Sequence, residues 1–176
     1  MVRYVALLRG VNVGRDTKVA MADFKDVLAG LGHTDVRTHL NSGNAVFTAP
    51  EAPAEEIAAA IEDGLAAALG RTVPVMVRTA DELRAIVENN PLEVRDPAKF
   101  AVAFLAEPPD HERLRALDPA EFAPEELGLG EKDLYFYFPN GLGRAKLPPI
   151  LARRLGLQAT VRNWNTVTRL LELAEG

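Results

Sequence analysis

Residues 36–49, VRTHLNSGNAVFTA, decide the fold. Val36 to Leu40 alternates enough for a strand, Asn41-Ser42-Gly43 turns the chain, and NAVFT returns it. Gly43 suits the left-handed position of a short hairpin loop. The flanks then set the topology. Upstream, RYVALL at 3–8 is a buried strand. Met21, Phe24, Leu28 and Leu31 follow at three- and four-residue spacing, one face of a helix, with Gly32 at its C-terminal cap. Downstream, Pro53, Glu55 and Glu56 open a helix whose stripe is Ile57, Ile61 and Leu65; Gly70 ends it. VPVMVR at 73–78 is a further strand. The order β-α-β-β-α-β is that of a ferredoxin-like unit.

Thr79 and Glu82 spell a capping box for a short helix that ends at Asn90-Pro91. The element order then repeats. KFAVAFL (99–105) is a strand, and Asp110 caps a short helix carrying Leu114 and Leu117. A strand is expected at 120–127 from the pattern alone, and LYFYF (134–138) has strong β preference. Pro148-Pro149 start a helix that Gly156 stops. QATVR (158–162) is a strand, and a helix with Val167, Leu170, Leu171 and Ala174 closes the chain. The expected class is α+β: two ferredoxin-like β-α-β-β-α-β units packed together, with a linking helix and a C-terminal helix. The expected domains are 1–78, a helical linker at 79–98, and 99–176. The duplication is read from element order, since no residue-level repeat is evident between the halves.

Composition narrows the function. With 48% hydrophobic residues the 176-residue chain can bury a core. No apolar run approaches the roughly 20 residues needed to cross a bilayer, so no membrane partner is expected. The N-terminal apolar run is too short for a secretory signal. Absence of cysteine removes disulfides, thiolate metal sites and cysteine nucleophiles. A cytoplasmic location is expected. The net charge of −5 hides a segregation: residues 1–22 carry +3, 23–133 carry −12, and 134–171 carry six basic residues and no acid. Such segregation sets a local field opposite in sign to the total.

Topology says which loops meet. In a β-α-β-β-α-β unit the loop after the first strand and the middle hairpin turn share one end of the sheet. The loops after the third and fourth strands share the other. RGVNVGRDTK and LNSGN are therefore neighbours in the first unit, as are GLGRAKL and RNWNT in the second. The latter pair assembles Arg144, Lys146, Arg162, Asn163 and Trp164. Gly141 and Gly143 allow close backbone approach, and a helix N-terminus follows, an arrangement that favours anions. Lys146 is followed by Leu147, so this is no P-loop, and Pro148 and Pro149 remove two donors. Arg162 suits bidentate phosphate or carboxylate binding, Asn163 caps the last helix, and Trp164 suits stacking. The first pair assembles Arg9, Asn12, Asn41, Ser42 and Asn44, polar groups that are also standard turn formers.

Four segments together, YVALLRGVNVG (4–14), NSGNAVF (41–47), PNGLGRAKL (139–147) and ATVRNWNTVTRLLEL (159–173), resemble the bacterial domain-of-unknown-function family 1697. The resemblance implies the fold and no reaction. The family pattern has glycine at Arg15, serine at Ala145 and threonine at Val161, and losing those two hydroxyls weakens any ligand role at 145 and 161.

Catalytic signals are poor. His33, His39 and His111 have no zinc or triad spacing, and no metal motif or cofactor signature is present. Three readings remain. The favoured one is a binding domain for a small anionic or nucleotide-like ligand, with nucleic acid less favoured. The second is an enzyme on a phosphorylated small molecule using His39 or a bound water. The third is a protein-interaction module. Oligomeric state is not encoded legibly.

Overall fold

The computed structural model describes residues 1–12, 17–40 and 42–176. Along the chain come β1 (Val2–Leu8), α1 (Met21–Gly30), β2 (Thr34–His39), β3 (Asn44–Ala49), α2 (Ala54–Leu69), β4 (Val75–Thr79) and α3 (Ala80–Glu88). The second half follows with β5 (Phe100–Phe104), α4 (His111–Arg115), β6 (Glu126–Leu129), β7 (Asp133–Tyr137), α5 (Leu147–Leu155), β8 (Thr160–Asn163) and α6 (Trp164–Glu175). The strands form two antiparallel sheets, ordered β2-β3-β1-β4 and β6-β7-β5-β8. This is the order the sequence predicts. A helical crossover leaves β1 and β2 parallel and apart, β3 enters between them, and β4 takes the free side of β1.

Two compact units result, residues 1–84 with 169–176, and residues 85–168. The division falls inside α3 and α6.

In the first unit the buried stripe of α1 is Phe24 and Leu28, and that of α2 is Ile57, Ile61 and Leu65. They cover Tyr4, Ala6 and Leu8 of β1, Ala45, Phe47 and Ala49 of β3, and Val75 and Val77 of β4. Alternate residues share a sheet face, so each strand gives every second side chain to this core. Leu31, expected in the α1 stripe, is 39% exposed. The helix has already ended there: Gly32, at φ 88°, lets its own N–H reach Ala29 O and the His33 N–H reach Leu28 O, a Schellman closure. In the β2–β3 turn Gly43 is required twice over. Its φ is 86°, and a Cβ there would lie 2.6 Å from Leu8 Cβ.

In the second unit Leu114, Leu147, Ile150 and Leu151 cover Ala101, Ala103, Leu134, Phe136 and Phe138. The strand expected at 120–127 is displaced. Pro119–Glu121 form a 3-10 turn, with Asp118 accepting from the Ala120 N–H, and β6 begins only at Glu126. Pro124, inside the expected span, has no N–H to give a ladder, which an expectation resting on element order did not register.

Although no repeat of residue types is evident in the sequence, the units repeat in register and contacts. Register aligns Val5 opposite Arg78 with Val102 opposite Arg162. Each arginine donates Nη1 to the carbonyl of the valine before it, at 3.1 Å from Arg78 and 3.0 Å from Arg162. Thr79 and Asn163 then cap the next helix, accepting from the N–H groups of Glu82 and Thr166. Leu8 N–H to Gly43 O is matched by Leu105 N–H to Lys132 O. Asn44, opposite Leu7, is matched by Asp133, opposite Phe104, and both are buried. The halves share few residue types but fill the same register positions with the same contacts.

His33 stacks on Phe47, with centroids 4.6 Å apart and planes 17° apart. Both its ring nitrogens are buried without a hydrogen-bond partner among the described residues. Burial holds its pKa below the ordinary 6.5. The unfolded chain therefore takes up this proton first, so the contribution of His33 to stability is complete above pH 6.5 and is lost as pH falls below it. We expect the Tm of wild type to drop more between pH 7.5 and pH 5.5 than that of His33→Phe, which keeps the stack. Parallel pH profiles in thermal melts would disprove this.

Candidate functional site

At one end of the second sheet, β7 finishes, β5 starts and β8 finishes. Phe100 faces Tyr137, Ala101 faces Asn163, and the Phe138 N–H donates to Lys99 O at 2.8 Å. GLGRAKL and RNWNT are therefore brought to the same end, as topology requires, on either side of Lys99. Within GLGRAKL, Leu142–Arg144 form a 3-10 turn. Arg144, Lys146 and Lys99 are all exposed, and none has an ion-pair partner among the described residues. Elsewhere Arg84 pairs with Asp81 and Glu175, Arg95 with Glu126, and Arg154 with Glu121. Lys99 was missed because the sequence places it inside a strand. The visible signal was its position directly before the β5 apolar run, at the sheet end where both basic segments arrive.

The helix terminus behind these side chains is already occupied. The N–H groups of Lys146 and Leu147 donate to Oε2 and Oε1 of Glu125, at 2.7 and 2.9 Å. Pro148 and Pro149 have no N–H, and Ile150 donates to Lys146 O. Every amide of the first turn of α5 is thereby accounted for. The anion that its dipole favours is the buried carboxylate of Glu125, 21 residues earlier in the chain. The expectation of an open anion cradle on the α5 backbone is corrected accordingly. What remains for a ligand is side-chain charge. Lys146 Nζ lies 3.1 Å from Ala123 O, a bond that keeps the ammonium beside the loop.

RNWNT divides in the same way. Along β8 Thr160 and Arg162 are buried on one face, while Val161 packs on the helix-covered core. Arg162 therefore leaves the strand on the face away from the helices, whereas Arg144 and Lys146 stand exposed in the loop. Arg162 is 9% exposed, and burial brings its pKa down to about 10, still cationic at neutral pH. Its counterpart Arg78 has the same bond and burial in the first unit, which marks a position of the fold repeated in both halves. Asn163 caps α6 as predicted, Oδ1 accepting from Thr166 N–H at 2.9 Å. Trp164, half-buried, meets Phe100 edge to face with centroids 5.1 Å apart.

In the first cluster, turn closure uses most of the polar groups. Asn12, at φ 56°, donates Nδ2 to Val19 O and accepts from Val19 N–H, at 3.1 and 3.0 Å. Asn44 is fully buried, and its Nδ2 donates to His39 O and Ser42 Oγ, both at 2.8 Å. Asn41 lies outside the described residues. Arg9 is half-buried with its backbone N–H on Pro74 O, and Ser42 is exposed.

The histidines sit apart from the basic rim. His33 is stacked as described, and His111 Nε2 lies 2.7 Å from Gly130 O at the opposite end of the second sheet. His39 belongs to the first unit, and burial, then the positive charge of Arg169, lowers its pKa. Among the described residues no group of three His, Cys, Asp or Glu is placed to hold a metal. No helix among them is long and apolar enough to cross a membrane. Four-stranded sheets of this kind bind RNA by stacking bases on exposed aromatics. Here Phe100, Tyr135 and Tyr137 are 0%, 1% and 8% exposed, Tyr135 donates to Ile86 O, and Arg95 lies 4.2 Å above the Tyr137 ring. Those rings are not available to a base.

Fold and rim together define a tandem α+β protein of two ferredoxin-like units with an exposed basic end. The chain belongs to the family of proteins of unknown function DUF1697, whose family model matches residues 1–135. GLGRAKL and RNWNT lie beyond that match. A solved structure, a conserved bacterial protein of Streptococcus pneumoniae, is similar over 98% of both chains, with 25% identity and a TM-score of 0.77. No curated protein matches the sequence.

Two stability measurements follow from this geometry. Arg78→Met and Arg162→Met should each cost about 1–3 kcal/mol, the worth of a hydrogen bond from a charged donor, and lower Tm by roughly 2–10 °C. An unchanged Tm in Arg162→Met alone would break the equivalence. Glu125→Ala, which strips the α5 cap, should cost about 2 kcal/mol. Scanning calorimetry of the three variants checks both expectations.

Proposed function

We propose that the chain is a binding domain for a small anionic or nucleotide-like ligand, taken at the basic rim of the second unit. One observation carries the reading: Lys99, Arg144 and Lys146 come from two separate segments to one sheet end, and their side chains stay exposed without an ion-pair partner among the described residues. Neighbouring unpaired cations raise the local potential in a chain whose total charge is negative. The half-buried Trp164 borders the same end and offers a ring surface to a base or other flat group. Arg162 contributes field rather than contact, because its guanidinium is buried.

The enzyme reading receives less support, since no histidine stands at this rim. Nucleic acid is also less favoured, because the aromatic sheet face is buried. Cytoplasmic residence fits a cysteine-free chain.

A ligand bound at about 100 times its Kd stabilises the folded state by about 2.7 kcal/mol. Pyrophosphate, ATP and phosphorylated sugars, screened by thermal shift in low salt, should therefore include at least one that raises Tm by roughly 5–10 °C. In Lys99→Ala/Arg144→Ala/Lys146→Ala that shift should vanish while the unliganded Tm stays within about a degree, as for other exposed substitutions. A full shift in the triple variant, or none with any anion in wild type, would refute the proposal.

A further inference from the structure

We infer that Asn140-Gly141 is a site of spontaneous covalent modification, at which loss of ammonia writes a carboxylate into the basic rim. Asparagine is among the thermolabile residues, and no other asparagine of the chain precedes a glycine. Glycine has no side chain to hold its amide nitrogen away from the neighbouring carboxamide. The side chains of Asn12, Asn44, Asn90 and Asn163 are bonded in turns or caps. Asn140 is exposed, and its side chain has no hydrogen bond among the described residues. The turn from Phe138 to Gly141 is closed by the Gly141 N–H on Phe138 O at 2.9 Å. That bond restrains the attacking nitrogen, so reaction waits for the turn to open. Opening uncovers no core. Asn140, Leu142, Gly143 and Arg144 are exposed, and a Cβ on Gly141, at φ 83°, would meet nothing within 4 Å. Solvent-exposed turns with few buried contacts are the parts of a fold that open most readily.

The step balances with water as its co-reactant. The Gly141 nitrogen bonds to Asn140 Cγ, the Cγ–Nδ2 bond breaks, and ammonia leaves with the proton of the Gly141 amide. Water then opens the cyclic imide at either carbonyl. Opening at one gives aspartate; opening at the other gives isoaspartate, in which the backbone runs through Cγ. Either product carries a carboxylate where a neutral amide stood, a change of charge without any partner protein.

Position gives that charge its effect. Phe138 N–H donates to Lys99 O, and Arg144 N–H donates to Gly141 O at 3.4 Å. Asn140 therefore stands between the attachments of both cationic segments. Residues 134–171 contain no acid. A carboxylate at 140 adds an exposed one to that stretch, lowers the local potential and competes with a bound anion for the same cations. This consequence rests on the proposed role of the rim; the modification itself does not.

The test incubates the full chain in warm, mildly alkaline buffer and maps its tryptic peptides by mass spectrometry. Asn140 should convert to aspartate and isoaspartate before Asn89 or Asn165 changes, since both are exposed but precede residues with side chains. Gly141→Ala, whose Cβ has open space, should slow the conversion about tenfold. In parallel, calorimetric titration with pyrophosphate at low salt should show Asn140→Asp binding about threefold more weakly than wild type, the worth of one exposed ion pair. Asn140 intact after Asn89 or Asn165 has converted would overturn the site, as would an unchanged rate in Gly141→Ala. Equal pyrophosphate binding by Asn140→Asp would overturn its effect on the rim. If wild type binds no pyrophosphate while Asn140 still converts, the binding role of the rim fails, and its regulation with it, while the modification site stands.

Discussion

Each unit is organised by one strand that pairs on both sides. β1 lies between β3 and β4, and β5 between β7 and β8. Because the pairing is antiparallel throughout, the direction of that central strand determines at which end of the sheet every loop emerges. Val5 opposite Arg78 and Val102 opposite Arg162 set the registers, and a slip of one residue would exchange the two faces of each sheet. The helix-covered cores, the positions of the buried arginines and the meeting of the basic loops all follow from that pairing.

A second theme is how completely local polar groups are used. Asn12, Asn44 and Asn163 occupy segments whose composition reads as ligand chemistry, and each closes a turn or caps a helix; Glu125, from outside those segments, caps another. The overlap has a physical basis. The side chains that recognise anions or bases are the same small donors and acceptors that satisfy backbone groups in tight turns. Separating the two uses requires a count of partners. Among the described residues of the second unit, that count leaves the exposed cations Lys99, Arg144 and Lys146 without an ion-pair partner.

The duplication is visible in contacts before it is visible in letters. Arg78 and Arg162 make the same backbone bond, and Thr79 and Asn163 make the same cap with different side chains. Asn44 and Asp133 hold the same register position. A fold tolerates exchange of residue type where the geometry of the bond is kept, so the halves can diverge in sequence while the framework persists. The family match at residues 1–135 stops within the second half, whereas the structural likeness runs over nearly the whole chain.

The sequence by itself determined the element order, the helix faces, the Thr79–Glu82 and Asn163 caps and the pairing of loops at each sheet end. These are written in periods of two and 3.6 residues and in short-range capping patterns, which act within a few positions of the chain. Tertiary structure alone decided that Glu125 fills the α5 terminus, that Arg162 turns into a buried face, and that Lys99 joins the exposed basic end of the second unit. Each of those outcomes depends on partners brought from 21 to 60 positions away, and a distance through space leaves no periodic trace in the order of residues.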